Sequence, residues 1–307
     1  MEESKHLKIG LILIGGSLKG IYGHTGVVTA IRDLGIEPKV ILGASAGSIV
    51  GSFMAVGLDN KWMLNKMMTL TAEQFLDKIG RFDILKEFII NKAKNFRGFI
   101  KGDKIEEYVR LALGDKDDFA KCVTPFYVSA TDLKTYKLRL FNTGKISEKT
   151  RASTAIPMMF QPKMIDGQYY IDGALLKDDL PRALLDVHPD LDYIIVSNYS
   201  YEQTTEDNSY LEDDIFPMVE IVRRAMSINE KYTWPKKIGK TRLIYLAPGL
   251  TQPVDIFKPN PALAKSVFKD SYKYAKYHIE RYFKHSKAFR KKHEKHEDPP
   301  APPTSNA

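Results

Sequence analysis

The sequence predicts an α/β protein with a mostly parallel central sheet. The first observation is a buried strand over Lys8–Ile14 that runs into the glycine-rich turn 15–20 and then into a helical pattern from His24 to Leu34. The second is an apolar strand over Val40–Leu42 that also enters a turn of small residues before a helix. Strands that alternate with helices favour parallel pairing, and in such sheets the loops after the strands carry the functional site. Both turns are therefore predicted at one edge of the sheet.

Further helices and strands follow along the chain. Residues 59–98 are predicted to be mostly helical, and residues 103–113 form a clearer helix in which Asp103 and Glu106 have the spacing of a capping box. An acidic loop is expected over residues 202–214, before a helix from about residue 215 to residue 232. Alternation or short apolar runs predict the remaining strands. These strands cover residues 126–130, 137–141, 165–171, 193–196 and 242–246.

Composition excludes several classes of site. The only cysteine is Cys122, so an internal disulfide and a cysteine-cluster metal site are both excluded. The seven histidines show no HExxH or comparable ligand spacing, and we predict neither a structural metal nor a cofactor. The amino terminus is acidic and lacks the features of a signal peptide, while the uncharged stretch 40–58 has too many glycines and serines for a good membrane span. We expect a cytoplasmic protein that contacts membranes at most peripherally.

The formal net charge of +8 belongs to one segment of the chain. Residues 258–297 contain 12 Lys and Arg against 4 Asp and Glu, so the rest of the chain is neutral on balance. We therefore predict an acyl hydrolase-like domain over residues 1–257, a basic amphipathic helical segment over 258–297, and a disordered proline-rich tail over 298–307. The basic segment is either a helix packed on the domain with a solvated face or a docking site for anionic lipid headgroups. No nucleic-acid-reading motif accompanies the charge.

Apolar and basic residues share this segment at helical spacing. The apolar positions are Phe268, Tyr272, Ala275, Ile279, Tyr282 and Phe289, and the basic positions on other faces are Lys269, Lys273, Lys276, Lys284 and Lys287.

The turn after the second strand is a candidate nucleophile site. It reads Gly43-Ala44-Ser45-Ala46-Gly47, a G-x-S-x-G pattern that predicts a sharp turn from strand to helix. Small residues are needed on both sides of the serine because the turn is tight. Such a turn exposes the hydroxyl of Ser45, and the start of the following helix favours negative charge at the reacting centre.

The glycine-rich turn after the first strand is a candidate site for an oxyanion. Gly15, Gly16 and Ser17 have little side chain, so their backbone N–H groups are able to approach a substrate closely. A dinucleotide-binding fingerprint, G-x-G-x-x-G, is the alternative interpretation of residues 15–20, with Glu37 as the residue that would bind ribose. Ser17 occupies the position of the second glycine in that fingerprint.

Five motifs in order resemble those of the patatin-like phospholipases. They are Gly15-Gly16-Ser17-Leu18-Lys19-Gly20, Tyr22-Gly23-His24-Thr25-Gly26-Val27, Gly43-Ala44-Ser45-Ala46-Gly47, Ser153-Thr154-Ala155-Ile156-Pro157 and Asp172-Gly173-Ala174. The resemblance implies a three-layer α/β/α patatin-like fold and a Ser-Asp dyad with Ser45 as nucleophile and Asp172 as base. It also implies that the turn containing Gly15, Gly16 and Ser17 is the oxyanion hole, although Ser17 stands where the family usually has glycine.

The resemblance implies a lipid acyl hydrolase of phospholipase A or lysophospholipase type. Such an enzyme would cleave a phospholipid or another acyl-ester lipid. Asp172 suits the role of base because its aromatic and apolar neighbours predict a buried carboxylate. Two alternatives stay open: a Ser-His-Asp esterase with His24 or His188 as base, and an inactive patatin-fold protein that binds lipid or a partner.

Overall fold

A computed structural model of the chain describes residues 7–77, 96–199, 235–248 and 259–284. The predicted acidic loop, the helix predicted at 215–232 and the proline-rich tail lie outside these residues. Within them, one mixed sheet has the strand order β5-β6-β3-β2-β1-β7-β9-β8, with β4 also paired to β3. The strands are β1 (Ile9–Ile14), β2 (Val40–Ala44), β3 (Phe126–Asp132), β4 (Leu138–Phe141), β5 (Lys163–Ile165), β6 (Gln168–Asp172), β7 (Tyr193–Asn198), β8 (Lys237–Ile238) and β9 (Thr241–Leu246).

The centre of the sheet is parallel, which confirms the predicted fold class. Strands β3, β2, β1, β7 and β9 pair in parallel, whereas β4, β5, β6 and β8 pair antiparallel at the margins. The hairpin predicted around residues 165–171 is formed by β5 and β6. The parallel strands bring the turns after β1 and β2 to the same edge, as the alternation of strands and helices predicts.

Each face of the sheet has its own apolar core. Leu11 and Leu13 of β1 pack into one core, while Ile12 and Ile14 of the same strand pack into the other. Successive side chains of a strand point to opposite faces, so a strand that is buried on both sides is apolar throughout. The helices that cover these faces are α1 (Ser17–Asp33), α2 (Ala46–Ala55), α3 (Asn60–Met68), α4 (Ala72–Phe75), α5 (Asp103–Leu113), α6 (Ile146–Ser153), α7 (Leu180–Val187) and α8 (Pro261–Phe283).

The structure corrects the predicted start of α5. Asp103 is the first residue of the helix and not its cap, because Gly102 occupies the cap position with a φ of 84°. Gly102 has no side chain that could accept a hydrogen bond from the first N–H groups of the helix. The carboxylate of Asp77 caps instead, since it accepts hydrogen bonds from the N–H groups of Gly102 at 2.6 Å and Lys104 at 3.3 Å. Glu106 pairs with Lys163 at 2.6 Å. The capping box predicted from Asp103 and Glu106 is therefore wrong.

Helix α8 packs along α1, with its side-chain pattern shifted from the prediction. It begins at Pro261 after an Asn260 cap and buries one stripe, which consists of Ala264, Val267, Ser271, Ala275, Ile279 and Phe283. Tyr282, predicted on the apolar face, is 40% exposed. Glycine at position 26 of α1 permits the close approach, because a Cβ there would lie 2.4 Å from the carbonyl oxygen of Phe268. In the described ranges, no helix has both the length and the apolarity needed to cross a bilayer.

Candidate active site

Ser45 lies on the sharp turn between β2 and α2. Its φ of 53° and ψ of −128° put it in a region that L-residues rarely occupy. Residues in such conformations cost of order 1–3 kcal/mol and cluster at functional sites. The sequence predicts an exposed hydroxyl, but Ser45 is only 5% exposed. The structure therefore encloses this side chain more tightly than the turn alone suggests.

The two glycines of the turn are required by close backbone packing. A Cβ on Gly47 would lie 2.0 Å from the carbonyl oxygen of Leu13 in β1, and a Cβ on Gly43 would lie 2.5 Å from the Cα of Ser48. No side chain fits at either distance, because real Cβ contacts are not closer than about 3 Å. The small residues around Ser45 thus allow α2 to start directly against β1 and β2.

Asp172, the last residue of β6, contacts the serine. The Ser45 Oγ donates a hydrogen bond of 2.7 Å to Asp172 Oδ2, and the Ala174 N–H donates one of 2.8 Å to Oδ1. Asp172 is 4% exposed. Burial raises the pKa of Asp172 to about 7, although the hydrogen bonds from Ser45 and Ala174 act in the opposite direction. Gly173 has no room for a side chain, since a Cβ would lie 2.1 Å from the carbonyl oxygen of Ser129.

Strand β3 brings the two residues together. Gly43 of β2 pairs with Val128 of β3, and two residues further along β3 Ala130 pairs with Asp172 of β6. Ser45 follows Gly43 by two residues, so Ser45 and Asp172 lie at the same level on either side of β3. The pairing of β6 with β3 thereby closes a sequence separation of 127 residues.

The segment at the end of α6 contacts both residues of the pair. The Ser153 Oγ accepts a 2.8 Å hydrogen bond from the backbone N–H of Ser45, and the Ala155 carbonyl accepts one of 3.1 Å from the N–H of Asp172. The sequence shows Ser153 and Ala155 inside one of the five motifs but gives them no role. These two contacts fix the backbones of the serine and the carboxylate relative to each other.

The glycine-rich turn adjoins the serine, with three consecutive residues at positive φ. The φ values are 54° for Gly15, 94° for Gly16 and 48° for Ser17. The Gly15 N–H donates to the carbonyl of Ala44 at 3.0 Å, which anchors the turn beside Ser45. Gly15 is therefore not a free donor, contrary to its predicted role in the oxyanion hole. Within the described residues, the N–H groups of Gly16 and Ser17 have no protein acceptor.

The other residues predicted in this motif lie in the first turn of α1. Lys19 is buried, and Gly20 packs directly beneath the glycine-rich turn. A Cβ on Gly20 would lie 2.0 Å from the carbonyl oxygen of Gly15. Helix α1 starts at Ser17 and not near His24 as predicted, so it supports the turn from its first residue.

His24 lies inside α1 and contacts both the glycine-rich turn and β7. The residue is fully buried, with Nδ1 3.0 Å from the Ser197 Oγ and Nε2 3.2 Å from the Gly15 carbonyl oxygen. Among the described residues, no histidine hydrogen-bonds to the Ser45 hydroxyl. The sequence gives no signal for the pairing of His24 with Ser197, because the two residues are 173 positions apart.

His188 and Glu37 lie at the opposite edge of the sheet. His188 follows α7, precedes β7 and stands edge-on to Tyr127, with ring centroids 5.7 Å apart. Glu37 precedes β2, whereas the glycine-rich turn follows β1, and the two strands are parallel. His188 is thus remote from Ser45, and Glu37 is remote from any ligand on the glycine-rich turn. The predicted alternatives of a His188 base and a dinucleotide site do not match this arrangement.

The sheet and the enclosed Ser45–Asp172 pair define an α/β protein with its candidate site at the carboxyl edge of parallel strands. The chain belongs to the patatin-like phospholipase family. The family model described as "Patatin-like phospholipase" matches residues 11–186, which is more than half of the chain and includes both residues of the pair.

Relatives and solved structures add the following similarities. The chain is 31% identical over 195 residues to an uncharacterised NTE family protein of Mycobacterium bovis, and the match covers 63% of this chain and 50% of that protein. It is 26% identical over 200 residues to lysophospholipase NTE1 of Cryptococcus neoformans, covering 64% of this chain and 12% of that protein. The match therefore covers half the length of the Mycobacterium bovis protein and about an eighth of the Cryptococcus neoformans protein. The crystal structure of VipD from Legionella pneumophila aligns with 89% of this chain and 67% of its own, at 17% identity and a TM-score of 0.43.

Proposed function

We propose that this chain is a serine carboxylic-ester hydrolase that cleaves fatty-acyl esters of lipids, of phospholipase A or lysophospholipase type. The observation that carries the proposal is the 2.7 Å hydrogen bond from Ser45 Oγ to a buried carboxylate of Asp172. A serine hydroxyl needs a base before it attacks a carbonyl. A carboxylate whose pKa is raised to about 7 is a stronger base than an exposed aspartate and is still half ionised near neutral pH.

The first half of the reaction forms an acyl-serine. As Ser45 Oγ attacks the carbonyl carbon of the lipid ester, Asp172 Oδ2 accepts the hydroxyl proton. The negative charge that develops on the carbonyl oxygen is stabilised by N–H groups of the glycine-rich turn, for which Gly16 and Ser17 are the available donors. When the tetrahedral intermediate collapses, the alcohol part of the lipid leaves and takes the proton from Asp172.

The second half regenerates the enzyme. A water molecule gives a proton to Asp172 and attacks the carbonyl carbon of the acyl-serine. The second tetrahedral intermediate is stabilised by the same N–H donors. Its collapse breaks the bond to Ser45 Oγ, which recovers the proton from Asp172, and the fatty acid is released.

A lipid substrate is supported by the family and its relatives. The match to the patatin-like phospholipase model includes both Ser45 and Asp172. Several fungal relatives are named lysophospholipases, at 25–26% identity. These names support an acyl-ester lipid as the substrate of this chain and favour membrane lipids or their monoacyl products.

Covalent labelling with a fluorophosphonate tests the proposal most directly. Wild-type protein should be labelled on Ser45 and should release fatty acid from a panel of phospholipids and lysophospholipids, with products identified by mass spectrometry. Ser45→Ala and Asp172→Asn should each reduce turnover by at least about 10³-fold. His188→Ala serves as the matched control and should retain wild-type activity.

The results separate the competing functions. Folded wild-type protein that is neither labelled nor active would favour an inactive lipid-binding or partner-binding role. Loss of activity in His188→Ala, with activity retained in Asp172→Asn, would favour a Ser-His-Asp esterase.

We also propose peripheral contact with an anionic membrane through the exposed face of α8. Lys265, Lys269 and Lys273 are exposed on this helix, and basic residues near an anionic surface contribute about 1 kcal/mol each. Truncation at residue 268 would remove most of α8, which packs on α1, so substitution of exposed lysines is the cleaner test. The triple change to Gln at Lys265, Lys269 and Lys273 should weaken co-sedimentation with phosphatidylserine vesicles, and the matched triple change at exposed Lys121, Lys134 and Lys137 should not.

Added salt should release the wild-type protein from these vesicles. Equal binding by both triple variants, or binding that is insensitive to salt, would contradict membrane contact through α8.

A further inference from the structure

The buried imidazole of His24 connects the glycine-rich turn to strand β7. Its Nε2 lies 3.2 Å from the Gly15 carbonyl oxygen and its Nδ1 lies 3.0 Å from the Ser197 Oγ. The ring stands edge-on to Tyr199, with centroids 4.8 Å apart. In the described part of the chain, His24 makes no hydrogen bond to Ser45 or Asp172, so a role as base for Ser45 does not explain its contacts.

The protonation state of His24 follows from its surroundings. Burial lowers the pKa of His24 to about 3, so the ring is neutral at physiological pH. A neutral imidazole has one N–H donor and one acceptor nitrogen. Because the Gly15 carbonyl only accepts, Nε2 is the nitrogen that carries the proton. Nδ1 then accepts a hydrogen bond from the Ser197 hydroxyl.

The bond to Gly15 determines the direction of the next N–H group. The Gly15 carbonyl and the Gly16 N–H belong to one peptide unit, and in a trans peptide they point in opposite directions. A carbonyl held toward His24 therefore turns the Gly16 N–H away from the interior of α1. The Gly15 N–H is fixed separately on the Ala44 carbonyl, next to Ser45.

The Gly15–Gly16 peptide needs such a restraint. Both residues are glycines at positive φ, and glycine has few steric barriers to rotation. Rotation of this peptide by half a turn would exchange the carbonyl and the N–H. A carbonyl oxygen would then face the position at which negative charge develops, and that charge would be repelled instead of stabilised.

Tyr199 supports the same arrangement from the other side. A Cβ on Gly16 would lie 2.3 Å from the Cβ of Tyr199, and a Cβ on Gly23 would lie 2.2 Å from the Cζ of Tyr199. The Tyr199 N–H donates to the Ile14 carbonyl at 3.0 Å. Tyr199 thus fills the space between the turn and α1 and holds the His24 ring in place.

We propose that His24 is a positioning residue whose Nε2–H holds the Gly15 carbonyl, so that the Gly16 N–H points at the oxyanion formed on acylation of Ser45. This inference rests on the proposed hydrolase function. The substitution His24→Asn removes the donor to Gly15. The substitution His24→Gln places an amide N–H near the position of Nε2 and is the conservative variant. Ser197→Ala is the matched control because it leaves the Nε2 donor intact.

The expected effect is on turnover and not on substrate binding. His24→Asn should lower kcat by about 10²-fold with little change in KM, which is the cost of losing one oxyanion donor. His24→Gln should retain kcat within about tenfold of wild type, and Ser197→Ala should stay within about fivefold. A trifluoromethyl ketone lipid analogue forms a hemiketal with Ser45 that bears an oxyanion. Its affinity for His24→Asn should fall in parallel with kcat. A non-hydrolysable ether analogue should bind both proteins equally.

Several results would overturn the inference without touching the proposed function. If wild type is active and His24→Asn keeps its kcat, the Gly15 carbonyl needs no such restraint. If His24→Asn and His24→Gln lose activity equally, with equal losses of thermal stability, the role of His24 is packing alone.

A nitrogen-15 NMR measurement on wild-type protein tests the idea even if His24→Asn does not fold. A His24 ring protonated on Nδ1 in place of Nε2 would contradict it, because Nε2 would then have no proton to donate. The proposed function fails by a different result, namely wild-type protein that is neither labelled by a fluorophosphonate nor active.

Discussion

The pKa of an aspartate is shifted in opposite directions at the two edges of the parallel sheet. At the carboxyl edge, Asp172 is buried with a serine hydroxyl and one N–H as partners, and burial raises its pKa to about 7. At the amino edge, Asp190 is partly exposed and accepts hydrogen bonds from Lys39 and Lys8, which hold its pKa well below the usual range. The comparison shows that burial without a cationic partner raises the pKa of an aspartate, whereas hydrogen bonds from two lysines lower it.

The backbone differs between the two edges as well. Gly15, Gly16, Ser17 and Ser45 all have positive φ at the carboxyl edge, within the two turns that surround the candidate site. At the amino edge, positive φ occurs at glycines, namely Gly35 before β2 and Gly239 before β9. Ser17 and Ser45 are non-glycine residues at positive φ, and both lie in the turns where the chemistry is proposed.

Among the tests of this comparison that leave Ser45 and Asp172 in place, pH has the largest expected effect on activity. Asp172 must be ionised to accept the Ser45 proton, so kcat/KM should fall about tenfold for each pH unit below a midpoint near 7, and about 100-fold by two units below it. A pH–rate profile with an uncharged ester substrate measures this midpoint. A midpoint near 4, the value of an exposed aspartate, would contradict the contrast between the two edges.

The same ionisation should act on stability in the opposite direction. The folded-state pKa of Asp172 lies above its unfolded value, so the folded state binds more protons between about pH 4 and pH 7. Asp172 therefore contributes stability below pH 4 that is lost as the pH rises through 7. The difference in unfolding free energy between wild type and Asp172→Asn, followed by urea titration, should change in favour of the Asn variant over this range. If the difference in unfolding free energy between the two proteins does not depend on pH, burial does not raise the pKa of the Asp172 carboxyl group.

Ser153→Ala should give the next largest effect. The substitution leaves the buried N–H of Ser45 without its acceptor, which costs about 1–3 kcal/mol, and it frees the strained turn. We expect kcat/KM to fall by about 10- to 100-fold, with fluorophosphonate labelling of Ser45 slowed in proportion. Ser147→Ala is a suitable control on the same helix, because its hydroxyl bonds to Asp117 and not to the site. Equal activity of the two variants would mean that the Ser153 contact is dispensable.

Ser17→Gly should have little effect on either stability or kcat. The serine has a φ of 48°, which costs an L-residue about 1–2 kcal/mol, and glycine adopts this conformation freely. We expect a gain in unfolding free energy below about 1 kcal/mol, because glycine also increases the entropy of the unfolded chain. If the oxyanion donors are backbone N–H groups, kcat should stay within about threefold. A fall beyond tenfold would assign the donor role to the Ser17 hydroxyl.

The smallest effect is expected at the amino edge. Asp190→Asn removes the carboxylate shared by Lys8 and Lys39, but pairs with this exposure contribute little and are screened by salt. Activity should remain within about twofold of wild type, and the melting temperature should shift less at high salt than at low salt. A loss of activity comparable to that of Asp172→Asn would show that the two edges are not functionally separate.

Local patterns were sufficient for much of the fold. Apolar runs and glycines predict β1, β2 and the turn at Ser45, because a tight turn between buried elements has few sequence solutions. The pairing of Asp172 with Ser45 did not follow from any local pattern. It depends on β6 pairing with β3, and only the ordered motifs of the family indicated it from the sequence.

The errors have a common physical cause. The sequence predicts α1 from His24, yet the helix starts at Ser17, and Gly23 in its first turns leaves room for the Tyr199 ring of the distant strand end. The N-terminal cap of α5 likewise comes from Asp77, 25 residues before Gly102. In each case a contact distant in sequence overrides the local preference.

The contact between His24 and Ser197 has a consequence for how the molecule is made. The two residues are 173 positions apart, so α1 leaves the ribosome long before its partner in β7 has been synthesised. Strand β1 pairs with β2, which is synthesised soon after it, and with β7, which is synthesised much later. A chain that ends before β7 therefore lacks the Ser197 hydroxyl that contacts His24. On the proposed function, the full set of contacts around the glycine-rich turn would therefore exist only once β7 has been synthesised.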